Sequence, residues 1–499
     1  MRTSRKTAKP RLNVKYHGIR NRKFWSNVYF YPGSDLIKQR VTRKNFRDWR
    51  GKHDEDDDGP MSSHSRSSSF SNSKSVSKLN AFQRTFKVLG PGLITGASDD
   101  DPSGIGTYSQ AGAKFGVGML WMALFLYPMI LIIEEMCARI GLVTGKGLAF
   151  AIKKKYSRNL FIPLVMLLLI ANTINIGADI GAMSASLRLV FPNIPFIIAT
   201  LAFVGIILAA FHTENIHLLK YLTLALVSYV VTAIIVGGNW TQIISATIIP
   251  HIEFSSEFVM MFVAIFGTTI SPYLFFWQTS EEVEEDVQNG KIKEMGEGKP
   301  SISKSEIKLM RSDVAIGMAF SVSIMWAIMV TTAGTLHVNG QTDIQTAEEA
   351  AKALQPLVKA FPYAGEVSEM IFALGTGLLA IPVLAGSSAY ALADTFGWKE
   401  GLGKKFRQAK GFYLVIVSST VIGLFINFIG IDPIEALVYT AVINGIVAVP
   451  MLYAILKICN DKAILENWTN GLISNIIGWA TFLVMGTSVV ILFLTWGSG

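Results

Sequence analysis

Cysteine is nearly absent from this 499-residue chain: there are two, Cys137 and Cys459, both on apolar segments. That excludes a disulfide framework and any cysteine-based metal motif, and leaves the two thiols as packing residues. Charge is scarce as well. Only 16% of residues are charged, against 51% hydrophobic, and the mean hydropathy is +0.40. A soluble globular class is excluded, because apolar runs of the ~20 residues needed to cross a bilayer recur from residue 87 to the C-terminus.

About eleven such runs can be placed, at 87–113, 117–143, 159–190, 194–212, 216–237, 256–280, 312–336, 363–394, 410–430, 434–457 and 470–496. The expected fold is an all-α polytopic membrane protein with about eleven transmembrane helices. Lysine and arginine are missing from alternate connections: Phe191-Pro192-Asn193, Asn239 to Phe254 and Gly430-Ile431-Asp432 have none, and 337–362 has only Lys352 and Lys359. The intervening connections carry Lys153-Lys154-Lys155 with Arg158, Lys291 to Arg311, Lys399 to Lys410, and Lys457 with Lys462. By the positive-inside rule the N-terminus is expected in the cytoplasm, and an odd number of spans puts the C-terminus outside.

The basic excess belongs to one end. Residues 1–80 hold 19 Lys and Arg against 7 Asp and Glu, net +12, which leaves net −3 for the rest. This stretch lacks sustained apolar periodicity. It combines scattered aromatics, an acidic run from Asp54 to Asp58 and a serine-rich segment from Ser62 to Ser77, and reads as a disordered cytoplasmic tail. Its basic part can rest on anionic lipid headgroups; nucleic acid is not expected as a partner. The acidic run argues against a transit peptide, and translation starting at Met61 is an alternative.

Three consecutive aspartates, Asp99, Asp100 and Asp101, sit inside the first apolar run. Each carboxylate at the bilayer centre costs about 2.5–3.5 kcal/mol on insertion scales, so three together imply a function. The 12 residues from Lys87 to Ser98 span about 18 Å of helix, which carries the triplet near the midplane of a ~30 Å core. Neighbouring helical residues point about 100° apart, so a continuous helix could not turn all three toward one cavity. Pro102 lacks an amide donor, and Gly104 and Gly106 relax the backbone, so an unwound segment is expected. A second proline follows a short polar residue at Thr268-Thr269-Ile270-Ser271-Pro272-Tyr273, in the sixth run. Interrupted spans one and six fit a five-helix unit repeated with inverted topology, with a binding site between the breaks. Carboxylate, hydroxyl and carbonyl oxygens suit Mg²⁺, Mn²⁺ or Ca²⁺.

Several segments resemble the Nramp family of divalent-metal transporters. Gly90-Pro91-Gly92-Leu93, Asp101-Pro102, Ala111-Gly112-Ala113-Lys114-Phe115-Gly116 and Ala138-Arg139-Ile140-Gly141-Leu142-Val143-Thr144-Gly145 are similar to its first two spans, and Gly267 to Pro272 to its sixth. The resemblance implies a leucine-transporter-type fold over 81–499, with a metal site on spans one and six. It departs from the family pattern at two places. The family's Asp-Pro-Gly-Asn is Asp101-Pro102-Ser103-Gly104 here, without the asparagine, and its Met-Pro-His is Ser271-Pro272-Tyr273, without the thioether. Such losses resemble the Nramp-related branch that includes magnesium transporters and favour a harder ion, Mg²⁺ or Mn²⁺.

Candidate metal-site residues are therefore Asp101, Asp100, Ser103, Thr268, Ser271, Tyr273 and Gln278. Ser271 and Tyr273 have an alternative role, bonding backbone freed by Pro272. Histidine is missing from the sixth run, where the family carries it; Tyr273 and Gln278 stand at the matching positions. Asp179 resembles the family's third-span acid and is a candidate proton relay, whereas the second acid of that helix is Ala182 here. Uncoupled flux follows as an expectation. The expected protein is not an enzyme and needs no cofactor, the divalent ion being substrate, and an inner, plasma membrane is the expected location.

The other acids have plainer readings. Glu134 and Glu135 with Arg139 read as an ion pair on the second span, and Glu281, Glu282, Glu284, Glu285 and Asp286 as a solvated helix face that could concentrate cations. His337 and Glu348-Glu349 read as loop residues. Two other functions compete: a Na⁺-coupled symporter of organic solutes with the same fold, and an intramembrane aspartyl protease using Asp179. Three aspartates count against an anionic solute, and the protease class needs Gly-x-Gly-Asp where this chain has Gly177-Ala178-Asp179.

Overall fold

A proline at the first helical position opens the described part of the chain. Pro91 starts α1 (Pro91–Asp99), where its missing amide costs nothing and its fixed φ suits a helix. The computed structural model describes residues 90–213, 226–236, 238–344, 364–428 and 433–495, with the single positions 349, 353 and 430. The tail reading, the start of the first run at 87, half of the fifth run and Glu348 lie outside the described residues.

After α1 come α2 (Pro102–Phe115), α3 (Trp121–Thr144), α4 (Leu148–Lys155), α5 (Arg158–Val190), α6 (Phe196–Thr213), α7 (Val227–Val236) and α8 (Trp240–Ile248). They are followed by α9 (Ser256–Thr269), α10 (Pro272–Gln288), α11 (Lys304–Thr335), α12 (Ala364–Phe396), α13 (Lys410–Ile426), α14 (Pro433–Cys459), α15 (Lys462–Leu465) and α16 (Leu472–Thr495). Among the described residues everything regular is helical, apart from an isolated bridge between Glu294 and Glu297. Among the described residues seven helical stretches are long and apolar enough to cross a membrane, or eight if α7 and α8 form one bent span. α8 was not anticipated. It lies in the Asn239 to Phe254 connection and starts where the Asn239 side chain accepts the Gln242 amide at 3.2 Å, a cap too local to register as apolar periodicity.

Small residues let helices approach. A methyl group added at Gly96 on α1 would fall 2.2 Å from the Gly317 carbonyl on α11, and one at Gly317 2.0 Å from the Gly92 carbonyl. In a bilayer, where apolar side chains gain little by leaving lipid, such backbone contact is a main source of helix association. α11 is further tied to the start of α1 by Asp313, which accepts the Gly90 and Gly92 amides at 2.9 and 2.7 Å. α9 packs on α14 in the same way, Gly267 facing the Ala441 carbonyl and Gly445.

Two expectations need correction. Arg139 pairs with Glu135 at 3.0 Å in a buried bond, and Arg311 reaches the other Glu135 oxygen at 2.8 Å. Glu134, however, is fully buried with neither carboxylate oxygen partnered. Adjacent helical residues diverge by about 100°, so one arginine could not serve both. The acidic run on α10 is not a solvated face either: Glu282, Glu284 and Asp286 are buried, since this end of the helix packs against its neighbours. Cys137 and Cys459 are free and buried.

Candidate metal site

The aspartate triplet divides among three backbone roles. Asp99 closes α1, Asp100 links at φ −86°, ψ 54°, and Asp101 is the extended N-cap of α2 at φ −71°, ψ 173°. Pro102 excludes the helical conformation for the residue before it. That extended backbone lets Asp101 Oδ1 accept the Gly104 amide at 2.6 Å, as an N-cap does. The second interruption repeats this geometry, with Ile270 at φ −106°, ψ 66° and Ser271 at φ −87°, ψ 135° before Pro272. It is a local one, since Ser256–Gln288 still runs as a single 33-residue apolar stretch.

The two interruptions meet. Tyr273 Oη donates to the Ser98 carbonyl at 3.1 Å and stands 3.5 Å from Asp101 Oδ2. The hydroxyls of Tyr108 and Thr269 are bonded at 2.8 Å, and a methyl group at Gly104 would sit 3.4 Å from Thr268 Oγ1. Asn175 on α5 donates to Asp101 Oδ2 at 3.2 Å. One turn further along α5 is Asp179, within electrostatic reach of Asp101 and facing the Ser103 amide without closing a hydrogen bond to it.

Three of the candidate residues point elsewhere. The Ser103 hydroxyl donates to the Leu437 carbonyl at 3.1 Å, toward α14. The Ser271 hydroxyl turns back to the Gly267 and Thr268 carbonyls, 2.6 and 2.7 Å away, satisfying backbone left open at the end of α9. Gln278 accepts from the Thr95 hydroxyl and donates to Glu282 at 3.0 Å, so it bridges α1 and α10 away from Asp101. The sequence reading missed Asn175, although its spacing of four from Asp179 puts both on one helix face. It also missed Ser321, whose hydroxyl donates to Asp99 Oδ2, a contact between α11 and α1 that no local pattern encodes.

Charge is the outstanding feature of this centre. Asp99, Asp100, Asp101 and Asp179 are all buried. Both oxygens of Asp100, both of Asp179 and Oδ1 of Asp99 have no hydrogen-bond partner. Among the described residues no ion pair reaches any of the four. An isolated buried carboxylate is unfavourable unless a proton or a cation neutralises it. No three His, Cys, Asp or Glu side chains converge on one point among the described residues, so an ion held here would also draw on amide, phenol, carbonyl or water oxygens.

Comparison with known proteins agrees with this chemistry. Residues 92–495 match the Nramp family, described as natural resistance-associated macrophage protein-like. A divalent metal cation transporter, MntH, of Ralstonia nicotianae is 22% identical over 436 residues, which is 84% of this chain and 92% of that protein. The crystal structure of a histidine-to-alanine mutant of the Eremococcus coleocola manganese transporter superposes with a TM-score of 0.63 at 14% identity, covering 84% of this chain and 88% of that one. The same transporter in complex with an aromatic bis-isothiourea compound gives 0.63 at 15% identity, with the same coverage. These likenesses show a shared fold. The chain belongs to the Nramp family of divalent-metal transporters, and is an integral membrane transporter and not an enzyme.

Proposed function

We propose that this transporter moves a hard divalent cation, Mg²⁺ or Mn²⁺, by alternating access around a site between its two helix interruptions. The observation that carries the reading is Asp101, held between the break, Asn175 and Tyr273, with the unpartnered carboxylates of Asp100 and Asp179 nearby. Two carboxylates match the charge of one divalent ion. Thr268 and Tyr273 add hard oxygen, and Ser271 stands where the family has methionine, which disfavours softer transition metals. A Mg²⁺ ion would keep several waters, in keeping with the outward turn of Ser103, Ser271 and Gln278. Asp179 serves as a proton relay if flux is coupled; with no histidine on the sixth span, uncoupled, gradient-driven flux is the reading adopted.

The proposal includes eleven spans in an inverted five-helix repeat, with spans one and six broken at Asp100–Asp101 and Ile270–Ser271. It places the protein in a plasma membrane with its N-terminus and a disordered tail, residues 1–80, in the cytoplasm beside anionic lipid, and its C-terminus outside. The Na⁺ symporter and the protease are not favoured by membership of this family. The test is uptake of Mg²⁺, Mn²⁺ and Ca²⁺ into proteoliposomes with internal pH recorded, for the parent and Asp101→Ala. Uptake by the parent that Asp101→Ala abolishes is expected; equal uptake by both removes the site assignment. Mn²⁺ uptake that Mg²⁺ neither shares nor inhibits removes the hard-ion preference.

A further inference from the structure

Beyond Thr335, where α11 ends, a short turn from His337 to Asn339 and Gly340 at φ +78° reverse the chain, a backbone conformation that glycine adopts without strain. The chain then comes back onto α2. The Gln110 side chain holds it with both of its polar groups: Nε2 donates to Asp343 Oδ1 and Oε1 accepts the Ile344 amide, each at 2.8 Å. One turn along α2, the Ala113 carbonyl accepts a bond from His337 Nδ1 at 2.8 Å. Between these anchors the segment is exposed, Val338 at 74%. Ile344 is not. It is 5% exposed and joins a small apolar cluster with Ala113 of α2, Ala178 and Ala182 of α5 and Leu437 of α14.

That cluster lies over the Asp101 centre. Gln110 is nine residues, about 13 Å, along α2 from Asp101. Ala182 is about one turn beyond Asp179 on α5, and Leu437 takes the Ser103 hydroxyl on its carbonyl. The α2 and α5 residues around Ile344 are alanines, so its side chain fills space between helices that theirs leave open. We infer that Leu336 to Ile344 is a lid over this end of the centre, with Ile344 as its plug and Gln110 as the residue that latches it. Access to Asp179 and Asp101 from this side then requires both Gln110 bonds to break. The inference rests on reading the Asp101 centre as the transport site, and it gives the outer gate a loop as well as helices.

The test is the rate at which a charged maleimide labels Ala182→Cys in the detergent-purified full chain. The native thiols, Cys137 and Cys459, are buried and serve as the control for unfolding. Labelling should be slow with the lid intact. Gln110→Ala removes two hydrogen bonds and should speed it about tenfold, and Val338→Ala, at the exposed tip, should leave it unchanged. Gln110→Glu sets a carboxylate against Asp343 and should also speed labelling, whereas adding Asp343→Asn restores a donor and should return the rate toward that of the parent. Unchanged labelling in both Gln110→Ala and Gln110→Glu overturns the inference. So does acceleration that extends to Cys137 and Cys459, which would belong to a loosened bundle, or a double variant that labels as fast as Gln110→Glu. If the labelling results hold while Asp101→Ala takes up ions as the parent does, the lid stands and the site assignment falls; the opposite pattern removes the lid and keeps the site.

Discussion

The Tyr273 hydroxyl, on the first turn of α10, donates to the carbonyl of Ser98 at the end of α1, 3.1 Å away. One phenol thus joins the end of α1 to the start of α10. The carbonyl it serves is one that the interruption deprives of a helical partner.

Tyr273→Phe keeps the buried ring and removes this bond. A buried carbonyl left without a donor costs about 1–3 kcal/mol, so we expect a lower melting temperature in detergent together with reduced uptake. A variant as stable and as active as the parent would show that the link contributes nothing.

Asn175→Ala tests the residue that orients Asp101. Groups that orient a metal-binding carboxylate typically contribute 10–100-fold to affinity. The expected result is a KM for the transported ion raised by about tenfold or more, with the melting temperature little changed. A change in maximal rate alone, at unchanged KM, would assign Asn175 to the conformational cycle instead.

Gly317→Ala introduces a methyl group 2.0 Å from the Gly92 carbonyl. Neither backbone can yield as a side-chain tip would, and overpacking of this kind costs about 1–3 kcal/mol. Yield of monodisperse protein on size exclusion should fall well below that of Gly205→Ala, where nothing lies within 4 Å of the added group. Equal yields would argue against the close approach of α1 and α11.

A pH dependence is expected at the loop following α14. Lys155 bonds Asp461, and the Ala463 amide donates to its Oδ1 at 2.9 Å. The lysine bond, then the amide, hold the Asp461 carboxyl below its ordinary range. A folded-state value below the unfolded one gives stability that is present above about pH 4 and lost as pH falls through the folded value. The melting-temperature gap between parent and Asp461→Asn should therefore be open at pH 7 and narrow steadily as the pH is taken below about 4. A gap that widens on acidification would reverse the sign and refute the account.

Much of the architecture is legible because membrane helices announce themselves by length. That helix stops ahead of Pro102 and Pro272 follows from one residue type acting on its neighbour. The roles within the centre are less legible. Ser103, Ser271 and Gln278 carry oxygen donors beside the two prolines, yet their hydroxyls and amide are taken by partners that sequence position does not reveal, such as Thr95, 183 residues from Gln278. Asn175 shares a helix face with Asp179 by its spacing of four, yet an amide carries no charge to single it out in an apolar run. The burial of Glu282, Glu284 and Asp286 on α10 is hidden from sequence for a related reason: composition suggests solvent, and only the packing of this helix end encloses them.

Asp101 performs two tasks with two oxygens. Oδ1 starts α2 by accepting the Gly104 amide at 2.6 Å, and Oδ2 faces Asn175, Tyr273 and the centre. Any ion drawn to Oδ2 competes for electron density with the amide on Oδ1, and thermodynamic reciprocity makes the effect mutual: whatever ion binding does to that first turn, the turn's stability does to ion affinity. Amide exchange at Gly104 would then report occupancy of the site, and a fraying first turn would serve as its release.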